Sequence, residues 1–83
     1  METIELILYK KAYGRTREVC TVEYHIPPEN GYKHTPQELA ELKRNGYNSP
    51  RRISRKELDE RLKEDGYELI SEQPSIAHWS REN

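Results

Sequence analysis

The chain has no phenylalanine, and it has one cysteine, one tryptophan and one methionine in 83 residues. Leucine, isoleucine and valine together number fifteen, about 18% of the chain, close to the level at which chains stay disordered. Disorder usually also needs a large net charge, and here the formal net charge is −1. One small folded domain is therefore expected. A domain of this length buries only about 60% of the surface its unfolded chain exposes, so a dimer or a partner could complete the core. The lone Cys20 excludes an internal disulfide framework. No apolar run reaches the roughly 20 residues that span a bilayer. The opening "METIELILYKK" carries an acid at position 2 and does not read as a signal peptide. A cytoplasmic, membrane-free protein is the expectation. The sequence pI of about 6.3 argues against indiscriminate binding of polyanions by the whole surface.

What is present is well patterned. Residues 3–26 read as a β-hairpin. Ile4, Leu6 and Leu8 alternate on one side of the first strand, and Cys20, Val22, Tyr24 and Ile26 on one side of the second. Gly14 supplies the turn. Pro27 and Pro28 end the second strand, since neither can donate to a ladder, and "PPENGYKH" reads as a linker turning at Gly31. A helix follows at about 36–45. Thr35 caps it, Pro36 fits its first position, Glu38 closes a capping box and Gly46 stops it. Leu39 and Leu42 give it a narrow apolar face. A second helix at about 55–65 has Ser54 as cap, Glu57 in the box, Ile53 to staple onto Leu58, and Gly66 as stop. Its Leu58 and Leu62 face the core. The two segments echo each other, which two well-capped amphipathic helices produce by themselves. Residues 67–71 read as a strand with Tyr67 and Leu69 on one side, and 75–83 as a strand or a docked tail. The order ββααβ(β) places the chain in the α+β class, an antiparallel sheet covered on one face by two short helices. Leu58, Leu62 and Leu69 are expected to share a core with Leu6 and Val22, and Trp79 to cap it.

Charge is unevenly distributed. "KRNGYNSPRRISRK" holds six basic side chains and no acid, whereas "ELDERLKEDGYELISE" holds seven acids and two bases. Lys43 and Arg44 suit the negative end of a helix dipole, but Arg55 and Lys56 oppose the positive end. They can pair with Asp59 and Glu60, in the weaker cation-first order. Arg51 and Arg52 have no local partner. Cations gathered at a helix N-terminus suit an anion, and Tyr47, joined by Tyr13 if the hairpin turn lies close, could stack on a base. The expected binding residues are thus Tyr47, Arg51, Arg52, Arg55, Lys56 and Tyr13. The same residues could equally be a solvated connector. The acidic run reads mostly as the outer face of the second helix, with Glu57–Arg61 and Asp59–Lys63 pairs along it.

Catalytic and metal motifs are missing. His25, His34 and His78 share no ligand spacing with each other or with Cys20. Cys20 and His25 fall on opposite sides of one strand. No phosphate-binding glycine loop or nucleophile elbow is present, so no enzyme and no cofactor are expected.

Two family resemblances bear on function. "QELAELKRNGYNSPRRISRKELDERL" resembles the SAP and helix-extension-helix modules, through Leu39, Leu42, Gly46, Lys56, Leu58 and Leu62. Its linker is longer and contains Pro50. That resemblance implies DNA binding. "LDERLKEDGYELISEQPSIAHW" resembles HicA-type mRNA-cleaving toxins, with His78 at the family's histidine but without the Gly-Ser-His signature. That resemblance implies a small RNase. The reading from the residues themselves is a small non-enzymatic binding, regulatory or inhibitor protein. It acts on an acidic protein partner through the basic loop-helix surface at 47–56. Its size and dense charge suit a phage or mobile-element protein. A nucleic-acid-binding module using the same surface is the alternative, and an RNase using His78 the third.

Overall fold

A computed structural model describes residues 3–26 and 34–83. The chain forms β1 (Ile4–Tyr13), β2 (Arg17–His25), α1 (Pro36–Arg44), β3 (Arg51–Ser54), α2 (Arg55–Glu64), β4 (Glu68–Gln73) and β5 (Ile76–Glu82). The five strands make one antiparallel sheet in the order β3-β1-β2-β5-β4. The α+β class is as expected. The linker expected at 27–34 lies largely outside the described residues. No helix among those described is long and apolar enough to cross a membrane.

One strand was not expected. Residues 51–54, expected as part of a connector, are a short edge strand paired with Ile4–Ile7. Its alternation is hidden because two arginines precede its one large apolar residue, Ile53. The segment at 75–83, expected as a strand or a docked tail, is a strand. As β5 it pairs with β2 on one side and β4 on the other, so the end of the chain lies inside the sheet. Ala77 and Trp79 point to the core, while Ile76 and His78 point away.

The core comprises Ile7, Cys20, Val22, Tyr24, Ile53, Leu62, Tyr67, Ala77 and Trp79, with Tyr9 and Leu58 packed against it. Three expectations are corrected here. In β1 the buried side carries Ile7 and Tyr9, not Ile4, Leu6 and Leu8. The run "ILILY" offers both phases, and the register decides between them: Ile7 faces Tyr24 and Tyr9 faces Val22. Leu6 and Leu8 stay half-buried on the reverse face and Ile4 is exposed. Leu69 is 46% exposed, because all six residues of β4 lie open at the sheet edge. Ile26 is exposed rather than continuing the Cys20–Tyr24 stripe. Trp79 is buried, and its indole Nε1 has no acceptor among the described residues, an orphan of the kind that costs about 1–3 kcal/mol.

Both helices are capped where expected. The Thr35 hydroxyl accepts from the Glu38 N–H at 3.2 Å and the Glu38 carboxylate accepts from the Thr35 N–H, completing the box. The Ser54 hydroxyl accepts from the Glu57 N–H at 3.2 Å. The Glu57 carboxylate instead accepts from Arg61 at 3.3 Å, so this box is half formed. The helices end alike. Gly46 and Gly66 both adopt φ +88°, where a side chain is strained. Past each glycine a tyrosine N–H bonds back into the helix, Tyr47 to the Leu42 carbonyl and Tyr67 to the Leu62 carbonyl, both at 2.9 Å. The repeated "LKxxGY" is thus one stop signal used twice. The outcomes diverge. α2 buries Leu62, whereas α1 buries no residue.

Candidate functional site

Successive strand residues point to opposite faces of a sheet. Arg51 follows Ile7 onto the face covered by α2, and Arg52 follows Leu6 onto the reverse face. Both are exposed and neither side chain has an ion pair or hydrogen bond among the described residues. The two arginines therefore straddle the β3 edge. On the reverse face the edge is extended by Tyr47, which bridges to Lys10, while the Asn48 N–H donates to the Tyr9 carbonyl at 2.8 Å. The Lys10 ammonium lies 5.1 Å from the centre of the Tyr47 ring. The Tyr47 hydroxyl engages Glu23, which raises its pKa above the ordinary tyrosine value. Tyr47 thus has Lys10 at its ring face and Glu23 near its hydroxyl.

Arg55 is also committed. Its Nε donates to the Glu5 carboxylate at 3.0 Å and its Nη2 to the Pro74 carbonyl at 2.6 Å. Its guanidinium lies 4.1 Å from the centre of the Tyr24 ring. Its acid partner is on β1, not the Asp59 that helix spacing suggested. The fold itself supplies an anion beside the start of α2, and Ser54 fills one of the backbone donors there. Lys56 sits exposed on the first turn. Tyr13 is 75% exposed but lies at the far end of β1. It is six residues beyond the Arg51 partner Ile7, about 20 Å along the strand. The structure strings Tyr47, Arg51, Arg52 and Lys56 along one edge, while Tyr13 lies three residues past Lys10, the bridge partner of Tyr47, on the opposite face of the sheet.

Sequence reasoning missed the cations that β1 and α2 add. Lys11 and Arg61 join Arg51 around a cavity of about 100 Å³ beneath α2, and Lys10 joins Arg52 on the reverse face. The "KK" doublet in a strand was the available signal, since it places one cation on each side. Around the corner, α1 and the 47–50 segment enclose a groove of about 400 Å³ walled by Leu39, Leu42, Tyr47 and Pro50. At the opposite edge of the sheet, β4 carries Glu68 and Glu72, so the sheet is basic at one edge and acidic at the other. Burial, helped by Glu72, raises the pKa of Asp59 on α2.

A second polar cluster lies inside the fold. Glu18, 2% exposed, accepts from the Tyr67 hydroxyl and, at 2.6 Å, from Arg81 Nε. The Tyr67 bond is the largest influence lowering its pKa, burial opposes it, and Arg81 adds to the lowering. Arg81 also stacks 4.6 Å from the Tyr67 ring centre. These groups satisfy one another and leave no open position. His78 Nδ1 lies 3.2 Å from Thr21 Oγ1 on the reverse face. Among the described residues no group of three or more His, Cys, Asp or Glu side chains could hold a metal ion. No family model, curated protein or solved structure matches this chain.

Proposed function

We propose that the chain is a non-enzymatic binding module that takes an acidic, extended segment of a partner protein along the β3 edge. The observation that supports this reading is the placement of Arg51 and Arg52, their side chains unpaired among the described residues and on opposite faces of one edge strand. An added strand brings its own alternating side chains to both faces. Consecutive acids on such a strand would meet one arginine each. A nucleic-acid backbone lies on one face and would leave one arginine behind. Charge on an edge strand also discourages pairing with its own kind. Here β3 against β3 would set arginine near arginine, which leaves an acidic strand as the complement. An inhibitor or adaptor role in a cytoplasmic setting fits a module this small.

The test is fluorescence anisotropy of the full chain with acidic extended peptides, and with single- and double-stranded oligonucleotides, over a salt series. Peptide binding that disappears in an Arg51→Glu, Arg52→Glu double variant supports the reading. Oligonucleotide binding with a log–log salt slope near −0.9 per phosphate contacted on duplex DNA would replace it with the nucleic-acid reading.

A further inference from the structure

The cavity of about 100 Å³ beneath α2 is unusual in its lining. Its apolar lining includes Val22 and Ile53 from the sheet and Leu58 and Leu62 from α2. Its lining also holds three cations, Lys11, Arg51 and Arg61, against one acid, Asp65. These cations come from β1, β3 and α2, so folding brings them together and local charge patterning does not explain them. Two are partly answered within the chain. Arg61 pairs with Glu57 at 3.3 Å, and the Lys11 ammonium stands 5.6 Å from the centre of the Tyr67 ring. Arg51 has no partner among the described residues.

An apolar floor under a net positive lining selects for an amphiphile with an anionic head. A bare inorganic anion would cover none of the floor. A neutral hydrocarbon would leave the cations unanswered. Size limits the tail: an apolar cavity of about 150 Å³ accepts benzene, so this one accepts a smaller body, about four carbon atoms long.

The geometry points to this cavity as a binding site for a short aliphatic carboxylate. The carboxylate lies on Arg51 with Lys11 beside it, and the tail lies against Ile53, Leu58 and Leu62. Two sources offer this chemistry, a free short-chain acid and the C-terminal residue of an extended protein segment. The second source rests on the strand-addition reading above; the site itself does not.

Amide chemical shifts of the full chain, titrated with butyrate, butanol and butylamine, test it. Butyrate should give saturable shifts at Ile53, Leu58 and Leu62 in the millimolar range, the order expected of so small a ligand. The neutral and cationic analogues should not. Arg51→Gln should weaken butyrate about tenfold, the loss of one charge-assisted hydrogen bond, and the same spectrum reports whether the variant is folded. An acidic peptide ending in valine, as free acid and as amide, separates the sources. A free acid that binds about tenfold tighter than both its amide and butyrate identifies a chain terminus. Acid and amide binding alike, with butyrate still in the cavity, identifies a free acid as ligand and leaves the edge reading standing. Butyrate binding without any peptide binding keeps the cavity site and overturns the edge reading. No saturable butyrate shift, equal binding of butanol, or an Arg51→Gln variant that binds like wild type overturns the proposal.

Discussion

The phenol of Tyr67 donates to the carboxylate of Glu18, 49 positions earlier in the chain. Tyr67 is the residue whose N–H closes the C-terminus of α2, so one side chain joins the helix stop to β2. The carboxylate is buried, and a buried charge needs both hydrogen bonds and a counter-charge. Arg81 of β5 supplies the counter-charge. Helix end, central strand and final strand thus meet at one acid.

That acid sets a pH dependence. The ordinary value for such a carboxyl is 4.5, and Tyr67 first, then Arg81, hold Glu18 below it against the opposing effect of burial. A lowered folded pKa contributes stability above the unfolded value and loses it as pH falls through the folded one. The urea midpoint of the wild type should therefore drop on acidification below 4.5. Glu18→Gln should already have a lower midpoint at neutral pH and a flatter acid limb. An acid limb that is the same in both proteins would mean another group controls it.

The core can be tested by contrast. Leu62→Ala should lower stability by about 2–5 kcal/mol, the range for truncating a buried leucine. Leu69→Ala, at the open β4 edge, should stay within about 0.5 kcal/mol. Parallel urea melts would show the difference directly, and equal losses would put Leu69 back in the core.

Much of this architecture was legible. Thr35 and Ser54 as caps, and Gly46 and Gly66 as stops, are local chemistry, so both helix boundaries could be read within a residue or two. Strand faces are not local. "ILILY" is apolar in both phases, and only the pairing of Ile7 with Tyr24 decides between them. β3 escaped notice because Arg51 and Arg52 look like a connector until Glu5 and Leu6 stand opposite Ile53 and Arg52. At the candidate site the cluster of charge was readable, but its division was not. Helix spacing suggested Asp59 for Arg55; the sheet supplied Glu5. Lys11 and Arg61 reach Arg51 only through folding.

Burial of Cys20 gives a chemical prediction. The thiol is 1% exposed and burial pushes its pKa up to about 11. The thiolate is the reactive form, so a disulfide reagent at mildly alkaline pH should label the native protein no faster than the chain unfolds. Fast, stoichiometric labelling without denaturant would show that α2 lifts off this part of the sheet.

The two helix ends should be separable by substitution. Ser54→Ala removes a buried cap and should lower stability by about 1 kcal/mol. Gly66→Ala forces a side chain into the left-handed region and should lower it by about 1–2 kcal/mol. Both act on α2, which holds Leu62 in the core, so both should appear as a shifted cooperative midpoint. A Ser54→Ala midpoint equal to wild type would mean that another group satisfies the Glu57 N–H.

The basic residues around the start of α2 divide into two roles, and one experiment distinguishes them. Arg55 is structural. Removing it leaves Glu5, itself only part-exposed, without its cation and the Pro74 carbonyl without its donor. Screening at this partly exposed site keeps the loss modest, so Arg55→Ala should lower stability by about 1 kcal/mol. The Arg51 and Arg52 side chains have no partners to lose among the described residues. Their double replacement by glutamate should leave the urea midpoint within the roughly 0.5 kcal/mol typical of surface changes while abolishing capture of acidic peptides. Binding to such peptides should slow with added salt, chiefly through the on-rate. If the double variant binds acidic peptides like wild type, the β3 edge is a solvated strand and the partner surface lies elsewhere. If it unfolds, the two arginines hold the edge in place, and the division of roles between Arg55 and its neighbours is wrong.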